Sequence, residues 1–387
     1  MLMLQPPPMD ELPTKRPHIL FLFSDTGGGH RSATQAIIEA LQLEFDDRIT
    51  TQMADIFLDF APPPLNYLPK WYPYIVRFPK VWGVGYKLSN GSRRASLIVK
   101  IAYPYVRRSL RKLINQNPAD MIVSVHPLAN QAFLYALGEQ RPAFITVVTD
   151  LVTTHALWYQ KEVDICLVPT EDARQRGLLA DLKPEQLKVV GLPVADRFCQ
   201  PIGDKKALRQ QLGWIPEQPV VLLVGGGEGM GPLEKTALAI AETNLPITLV
   251  VIAGRNVDLK QHLESRKWPI ATMIYGFVHE MPDFMRASDI LVTKAGPGTI
   301  SEALNAWLPM ILYSRLPGQE DGNVDFVISE GVGVWAPKTS EIISTLQAWI
   351  NHPEQRQLVA DACCQAARPQ AAQETARILA NRLGIYN

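Results

Sequence analysis

The sequence predicts an α/β protein built from two Rossmann-like, doubly wound halves. An apolar β run at 17–23 ends in the glycine-rich segment 24–30, and a helix with apolar residues at helical spacing follows over 33–41. The same order recurs at 290–304, where an apolar run precedes a glycine and proline loop and a short helical pattern. The length of 387 residues suits two domains of ordinary size.

Changes in composition divide the chain into four parts. Residues 1–16 are rich in proline and carry no apolar core, so we expect a disordered leader and neither a signal peptide nor a chloroplast-type transit sequence. An N-terminal domain is predicted over 17–199 and a C-terminal domain over 200–365, with the boundary near Pro201 and Gly203. Residues 366–387 are predicted to form a final helix.

The overall composition describes a soluble globular protein. Hydrophobic residues make up 47% and charged residues 20% of the chain. Lys plus Arg and Asp plus Glu balance at 38 each, and the four cysteines show neither a C-x-x-C pair nor metal-ligand spacing. The chargeless run 121–138 has the length of a membrane span, but polar residues interrupt it, so it predicts a strand, a loop and a helix.

One segment, residues 61–119, has a very different charge and is called the basic aromatic segment here. It contains no Asp or Glu, eleven basic residues and nine aromatic residues. Nucleic acid, an anionic membrane surface and a solvated face over core aromatics all fit this composition. Several prolines predict a loop with short helices in its first half, which favours insertion into a membrane interface over nucleic-acid binding. The membrane candidates are Trp71, Tyr72, Trp82, Arg93 and Arg94.

Two residues of the first half are candidates for acid/base chemistry. His30 lies where the first strand ends and a helix begins, at the edge where open α/β sheets bind ligands. A helix N-terminus lowers the pKa of an imidazole and keeps it neutral, although His30 as a simple helix cap fits equally. Asp150 ends the apolar run 144–148 and is either a second acid/base candidate or a turn cap.

The second half carries three loops that suit a nucleotide-linked sugar. Glycines at 225–231 follow an apolar strand without the Gly-Lys-Ser/Thr of a P-loop, and the loop at 293–299 opens a helix whose N-terminus favours a diphosphate. The carboxylate of Glu302 suits hydrogen bonds from a ribose diol, and the polar side chains of Gln319 and Glu320 suit the hydroxyls of a sugar. The alternative is that the glycines serve only as turn residues and that Glu302 is only a surface charge. No D-x-D or His/Asp cluster indicates a metal. The donor candidates are Gly226, Gly227, Gly229, Lys294, Gly296, Gly298, Thr299, Glu302, Gln319 and Glu320.

Taken together, the motifs resemble monogalactosyldiacylglycerol synthases. These enzymes belong to the same GT-B glycosyltransferase group as the processive diacylglycerol glucosyltransferases and the lipid II GlcNAc transferase. The resemblance runs from about residue 17 to 340. Its motifs are the segments 24–30, 124–128, 148–151, 225–232, 293–299 and 317–320.

The resemblance implies an inverting transfer of a hexose, galactose favoured, from a UDP-sugar to the hydroxyl of 1,2-diacylglycerol. The UDP-sugar would be a substrate, and no metal or cofactor would be needed. His30 would be the general base, with Asp150 the other candidate, and His126 and His155 would lie on the acceptor or membrane side. The expected setting is the cytoplasmic face of a membrane, with peripheral attachment, anionic lipids as partners and no nucleic acid.

Three alternatives stay open at the level of sequence. Galactose and glucose differ at one hydroxyl, so a glucosyltransferase fits as well. Another GT-B enzyme, acting on a lipid-linked acceptor or as a UDP-GlcNAc epimerase, would share the fold. A membrane-binding protein that keeps the fold without catalysis is the third.

Overall fold

A computed structural model describes residues 16–26, 28–76, 78–227, 229 and 232–386. Apart from Arg16, the predicted leader 1–16 lies outside the described residues. Within those residues the chain forms two six-stranded parallel sheets covered by helices, which confirms the predicted α/β fold of two Rossmann-like halves.

The first sheet holds the strands β1 (His18–Phe23), β2 (Thr50–Asp55), β3 (Met121–Ser124), β4 (Ala143–Val147), β5 (Ile165–Val168) and β6 (Leu187–Val189). They run parallel in the spatial order β2-β1-β3-β4-β5-β6. Its central strands are buried because helices cover both faces, which explains their continuous apolar runs. The helices of this half are α1 (Gly29–Phe45), α2 (Leu68–Ile75), α3 (Pro79–Ser89), α4 (Ser92–Gln116), α5 (Pro127–Leu137) and α6 (Glu171–Leu179).

The second sheet holds the strands β7 (Val220–Val224), β8 (Thr248–Ile252), β9 (Thr272–Tyr275), β10 (Ile290–Lys294), β11 (Met310–Ser314) and β12 (Gly333–Trp335). Their spatial order, β12-β11-β10-β7-β8-β9, is that of a doubly wound dinucleotide-binding sheet. The helices around it are α7 (Lys205–Gln211), α8 (Leu233–Ala241), α9 (Val257–Glu264), α10 (Met281–Ala287), α11 (Pro297–Asn305), α12 (Asp321–Ser329) and α13 (Thr339–Asn351).

The strand order of each sheet reverses at one point, and the predicted motifs lie there. In the first sheet the reversal falls between β1 and β3, which are followed by His30 and His126. In the second it falls between β7 and β10, which are followed by the glycine loop that begins at Gly225 and by Ala295 and Gly296 ahead of α11. Helices leave opposite faces of the sheet on either side of such a point, so the strand ends open a crevice for a ligand.

The C-terminal helix is shorter than predicted. Instead of one helix over 366–387, α14 (Pro353–Ala366) ends where that helix was expected to begin, and α15 spans Ala371–Arg382. Residues 367–370 separate the two helices. Ala372, Ala376 and Leu379 of α15 are buried in the cluster that holds α1, so this helix completes the core of the first half. The predicted boundary near residue 200 stays a prediction.

The basic aromatic segment is mostly helical. It forms α2, α3 and the 25-residue α4, so its first half is indeed a loop with short helices. The chargeless run 121–138 forms β3 and α5, as predicted. Across the part of the chain that the structure describes, no helix has both the length and the apolar character that a bilayer span requires.

Candidate active site

A cavity of about 580 Å³ lies where the two halves face each other. The first half contributes His30, Thr149 and Asp150 to its wall, and the second half contributes Lys294 and Gln319. The two candidates for acid/base chemistry therefore share one space with four of the donor candidates, Lys294, Gly298, Gln319 and Glu320. Part of the wall is apolar and comes from the first half, namely Phe57, Leu68, Ile75, Val81, Ile98 and Leu128.

His30 is held at the first turn of α1 by partners from neighbouring strand ends. Its Nδ1 lies 2.8 Å from the Oγ1 of Thr149, and its ring packs edge-on against His126 with centroids 4.6 Å apart. Burial lowers the pKa of His30 to about 4, and a hydrogen bond to the backbone of Val125 opposes that shift. The imidazole is neutral at pH 7, as predicted, but burial is the main cause rather than the helix terminus.

His126 and His155 both lie at the cavity; His126 caps the N-terminus of α5, and His155 caps the short 3-10 turn Ala156–Trp158. The Nδ1 of His126 accepts from the backbone N–H of Leu128 at 3.3 Å, and the Nδ1 of His155 accepts from that of Leu157 at 3.2 Å. An accepting Nδ1 leaves the proton of the neutral ring on Nε2. Burial lowers the pKa of both rings, that of His155 to about 4. Their predicted role toward the acceptor or the membrane stays a prediction.

Asp150 is buried and holds one partner from each half. Its Oδ2 accepts from the indole N–H of Trp158 at 2.7 Å, and its Oδ1 accepts from the side-chain amide of Gln319 at 3.3 Å. Burial raises its pKa to about 6, while these two hydrogen bonds oppose the shift. The contact with Gln319 joins residues 169 positions apart and bridges the cleft. Asp150 thus connects the two walls of the site.

Lys294 lies between the two glycine loops of the second half. Its Nζ donates to the Oε1 of Glu320 at 2.7 Å, and Glu320 is only 3% exposed. A Cβ placed on Gly226 would lie 3.3 Å from the lysine Cε, and one placed on Gly296 would lie 3.0 Å from Nζ. Glycine at both positions therefore lets the two loops approach the ammonium group from either side.

The glycine loop after β7 has the backbone that its composition predicts. Gly226 and Gly229 have φ of 74° and 59°, in the left-handed region that favours glycine. A Cβ on Gly229 would lie 2.2 Å from the carbonyl oxygen of Ala253, so no larger residue fits there. Gly226, Gly227 and Gly229 do not line the cavity, and Glu228, Met230 and Gly231 lie outside the described residues.

The remaining donor candidates lie on α11. Gly296 is its N-cap, and a Cβ on Gly298 would meet no atom within 4 Å, so space is open at this helix N-terminus. Thr299 and Glu302 follow in the first turns and do not line the cavity. Burial raises the pKa of Glu302 to about 7, and the charge of Arg197 opposes the shift.

The membrane candidates divide into two groups. Tyr72 and Trp82 pack edge-on with centroids 5.7 Å apart and line the cavity. Trp71 stacks on Tyr67 and stays exposed, and Arg93 and Arg94 are exposed on α4. Arg77 lies outside the described residues. The exposed apolar side chains of α3 and α4 are Val81, Val84, Leu88, Leu97, Ile98 and Ile101.

Sequence reasoning missed two parts of this site. Thr149, the partner of His30, was passed over although it precedes Asp150 at the same strand end. The apolar cavity wall is the second part, because the interpretations of residues 61–119 as a membrane surface, a nucleic-acid surface or a solvated face over core aromatics do not include the lining of a ligand cavity. Among the residues that the structure describes, no group of three or more His, Cys, Asp or Glu is placed to hold a metal ion.

The facing sheets and the cleft between them define the GT-B class of sugar-nucleotide enzymes. Solved structures share this fold at low identity. MurG from Acinetobacter baumannii matches with a TM-score of 0.59 and 15% identity over 94% of this chain and 99% of its own length. UDP-GlcNAc 2-epimerase from Neisseria meningitidis bound to UDP-GlcNAc matches with a TM-score of 0.58 and 16% identity over 95% of this chain and 99% of that chain.

Sequence relatives narrow the class to one family. Residues 30–194 match the family model of monogalactosyldiacylglycerol (MGDG) synthase, and residues 220–376 match the glycosyltransferase family 28 C-terminal domain. The chloroplastic monogalactosyldiacylglycerol synthase of Spinacia oleracea is 38% identical over 93% of this chain and 71% of its own length. Synthase 1 of Arabidopsis thaliana is 35% identical over 94% of this chain and 71% of its own length. The chain belongs to the monogalactosyldiacylglycerol synthase family.

Proposed function

We propose that this protein transfers galactose from UDP-galactose to the free hydroxyl of 1,2-diacylglycerol, with inversion at the anomeric carbon. The observation that carries the proposal is the cavity that His30 shares with Lys294, Gln319 and Glu320 of the second half. Membership of the monogalactosyldiacylglycerol synthase family supports the choice of galactose as the sugar and diacylglycerol as the acceptor.

In the proposed reaction His30 removes the proton of the acceptor hydroxyl. Its neutral imidazole is the form that accepts a proton, and Thr149 fixes the orientation of the ring. The acceptor oxygen then attacks the anomeric carbon on the face opposite the diphosphate, and UDP leaves. Asp150 is the second candidate for the base, and the pH dependence of kcat/KM distinguishes the two because their pKa values are shifted in opposite directions.

Lys294 is the proposed partner of the departing diphosphate. It lies between the loops of Gly226 and Gly296, and the N-terminus of α11 adds backbone N–H groups directed at the same space. Charge neutralisation by this lysine would let the reaction proceed without a metal or cofactor. We expect full activity after treatment with EDTA, and a loss that Mg²⁺ restores would contradict this part of the proposal.

The apolar part of the cavity is the proposed site of the glycerol backbone and the first acyl carbons. Phe57, Ile75 and Ile98 line it within the same space as His30. An apolar wall leading to a neutral base suits a lipid hydroxyl, because the acyl chains gain burial while the hydroxyl reaches a polar end.

We propose peripheral attachment to an anionic membrane through α2, α3 and α4. Exposed apolar residues such as Val84 and Ile101 lie among basic residues such as Arg93 and Arg94. Each basic residue near an anionic surface contributes about 1 kcal/mol. In vesicle co-sedimentation we expect Arg93→Ala with Arg94→Ala to weaken binding to vesicles with phosphatidylglycerol, and Lys188→Ala with Lys267→Ala, on exposed sites elsewhere, to leave it unchanged.

The direct test of the proposed reaction is transfer of radiolabelled sugar to diacylglycerol in vesicles. UDP-galactose and UDP-glucose are assayed in parallel, and the lipid product is identified by chromatography and mass. A galactolipid made from UDP-galactose is the expected result. Product from UDP-glucose alone would replace the sugar in the proposal, and no product from either donor would overturn it.

A further inference from the structure

Helix α3 has two faces with different surroundings. On the outer face Val84 and Leu88 are 59% and 63% exposed, as expected of a helix that meets a lipid surface. On the inner face Gly83 is buried and Tyr86 is partly buried, and both lie against the loop 317–320 of the second half. That loop carries Gln319 and Glu320 and is called the donor loop here.

The contact between α3 and the donor loop is too close for a side chain at either glycine. A Cβ on Gly83 would lie 2.9 Å from the Cβ of Pro317 and 3.3 Å from its carbonyl oxygen. Gly318 has φ of 86°, and a Cβ there would lie 3.0 Å from the Cδ1 of Tyr86. Two consecutive residues of the donor loop therefore rest directly on one face of α3.

Tyr86 is itself fixed on both sides. Its hydroxyl donates to the carbonyl oxygen of Thr153 at 2.8 Å, and the Oγ1 of Thr153 accepts from the backbone N–H of Gly322 at 2.8 Å. The ring of Tyr86 also packs edge-on against His155 with centroids 5.1 Å apart. The donor loop therefore lies between α3 on one side and the loop at 152–155 on the other.

We propose that Gly83 and Tyr86 are positioning residues that set the place of the donor loop, and through it the grip of Gln319 and Glu320 on the donor sugar. This inference rests on the proposed function, because it assigns these two side chains to the sugar of UDP-galactose. Gly83 acts only through Pro317 and touches neither substrate. The helix that faces the membrane thereby supports the donor site on its other side.

Gly83→Ala separates this role from a general effect on the helix. Alanine is a better helix former than glycine by about 1 kcal/mol, so the substitution strengthens α3 while its methyl group pushes against Pro317. The matched control is Lys87→Ala on the same helix, because Lys87 is exposed, does not line the cavity and is also replaced by a better helix former. Both variants are compared with the wild type by calorimetric titration with UDP and with UDP-galactose, without acceptor or vesicles.

We expect Gly83→Ala to weaken UDP-galactose binding by about tenfold, since a small displacement of a positioning contact has effects of this order or larger. UDP, which lacks the sugar, keeps its affinity, and Lys87→Ala binds both ligands as the wild type does. The proposal is overturned if Gly83→Ala leaves the affinity for UDP-galactose unchanged or weakens both ligands by the same factor.

A second variant decides the matter should Gly83→Ala not fold. Tyr86→Phe keeps the ring on Gly318 and removes the hydrogen bond to Thr153, so we expect a smaller loss for UDP-galactose and none for UDP. Equal affinity of this variant and the wild type for UDP-galactose would then overturn the proposal. Because no acceptor is present, failure of this test differs from failure of the proposed function, which appears as absence of lipid product.

Discussion

The side-chain amide of Gln319 donates to the carboxylate of Asp150 across the cleft, over a distance of 3.3 Å. The other oxygen of this carboxylate accepts from the indole of Trp158, a residue with no exposed surface. One buried carboxylate therefore fixes a core aromatic residue of the first half and a residue of the donor loop of the second half.

Removing that carboxylate should destabilise the protein. Asp150→Ala leaves the buried N–H of Trp158 without its acceptor, and we expect the free energy of unfolding to fall by about 1–3 kcal/mol at pH 7. Asp150→Asn is the matched control, because its amide oxygen can still accept from Trp158 and the loss should be smaller. Urea denaturation of the three proteins measures the effect, and equal stability of Asp150→Ala and the wild type would contradict it.

The assignment of His30 as the base predicts a large loss of turnover. We expect His30→Ala to lower kcat by about 10²- to 10⁴-fold, the range of general base catalysis, with UDP affinity unchanged. Thr149→Val should lower kcat by about tenfold through loss of one orienting hydrogen bond. Thr149→Ser retains the hydroxyl and should retain most of the activity. Wild-type turnover in His30→Ala would remove His30 from the mechanism.

The pH dependence distinguishes the two candidate bases. The pKa of His30 is lowered from 6.5 to about 4, so this ring stays neutral until the pH approaches 4. The pKa of Asp150 is raised to about 6, so a base at that position would be lost at a higher pH. With His30 as the base, we expect kcat/KM to fall as the pH is lowered toward 4, and we expect the same fall in Asp150→Asn. A fall in kcat/KM near pH 6 that is absent in Asp150→Asn would identify Asp150 as the base.

The pair of Lys294 and Glu320 can be tested for binding and stability separately. Lys294→Met leaves a buried carboxylate unpaired, so we expect a loss of about 3–5 kcal/mol in the free energy of unfolding. UDP affinity should fall by about 1.5–3 kcal/mol, or roughly 10- to 150-fold. Adding Glu320→Gln to Lys294→Met should restore stability but not UDP affinity. Recovery of both in the double variant would show that the lysine acts on Glu320 alone.

Local patterns predicted the fold and the position of the site but not the contacts within it. The strand, glycine loop and helix around His30 and around Gly296 are encoded in the continuous stretches 18–45 and 290–305, and strand ends at a reversal point must meet. The contacts of His30 with Thr149 and of Asp150 with Gln319 join residues 119 and 169 positions apart. Such contacts depend on how loops of different strands and halves pack, which local propensity does not determine.

The cause of the lowered pKa of His30 likewise does not follow from local sequence alone. The helix terminus visible in the sequence predicts a neutral imidazole, and the ring is neutral, but burial under neighbouring strand ends is the larger cause. Burial depends on the whole first half. The composition of the basic aromatic segment also does not separate two kinds of residue, since Tyr72 and Trp82 line the cavity while Arg93 and Arg94 face solvent.

The most direct measurement of the central claim is the initial rate of sugar transfer to diacylglycerol in anionic vesicles, with wild type and His30→Ala assayed with UDP-galactose and UDP-glucose at equal concentration. We expect a galactolipid from the wild type with UDP-galactose, a much lower rate with UDP-glucose, and almost no product from His30→Ala. Absence of lipid product from the wild type with both donors, in protein that still binds UDP, would contradict the claim.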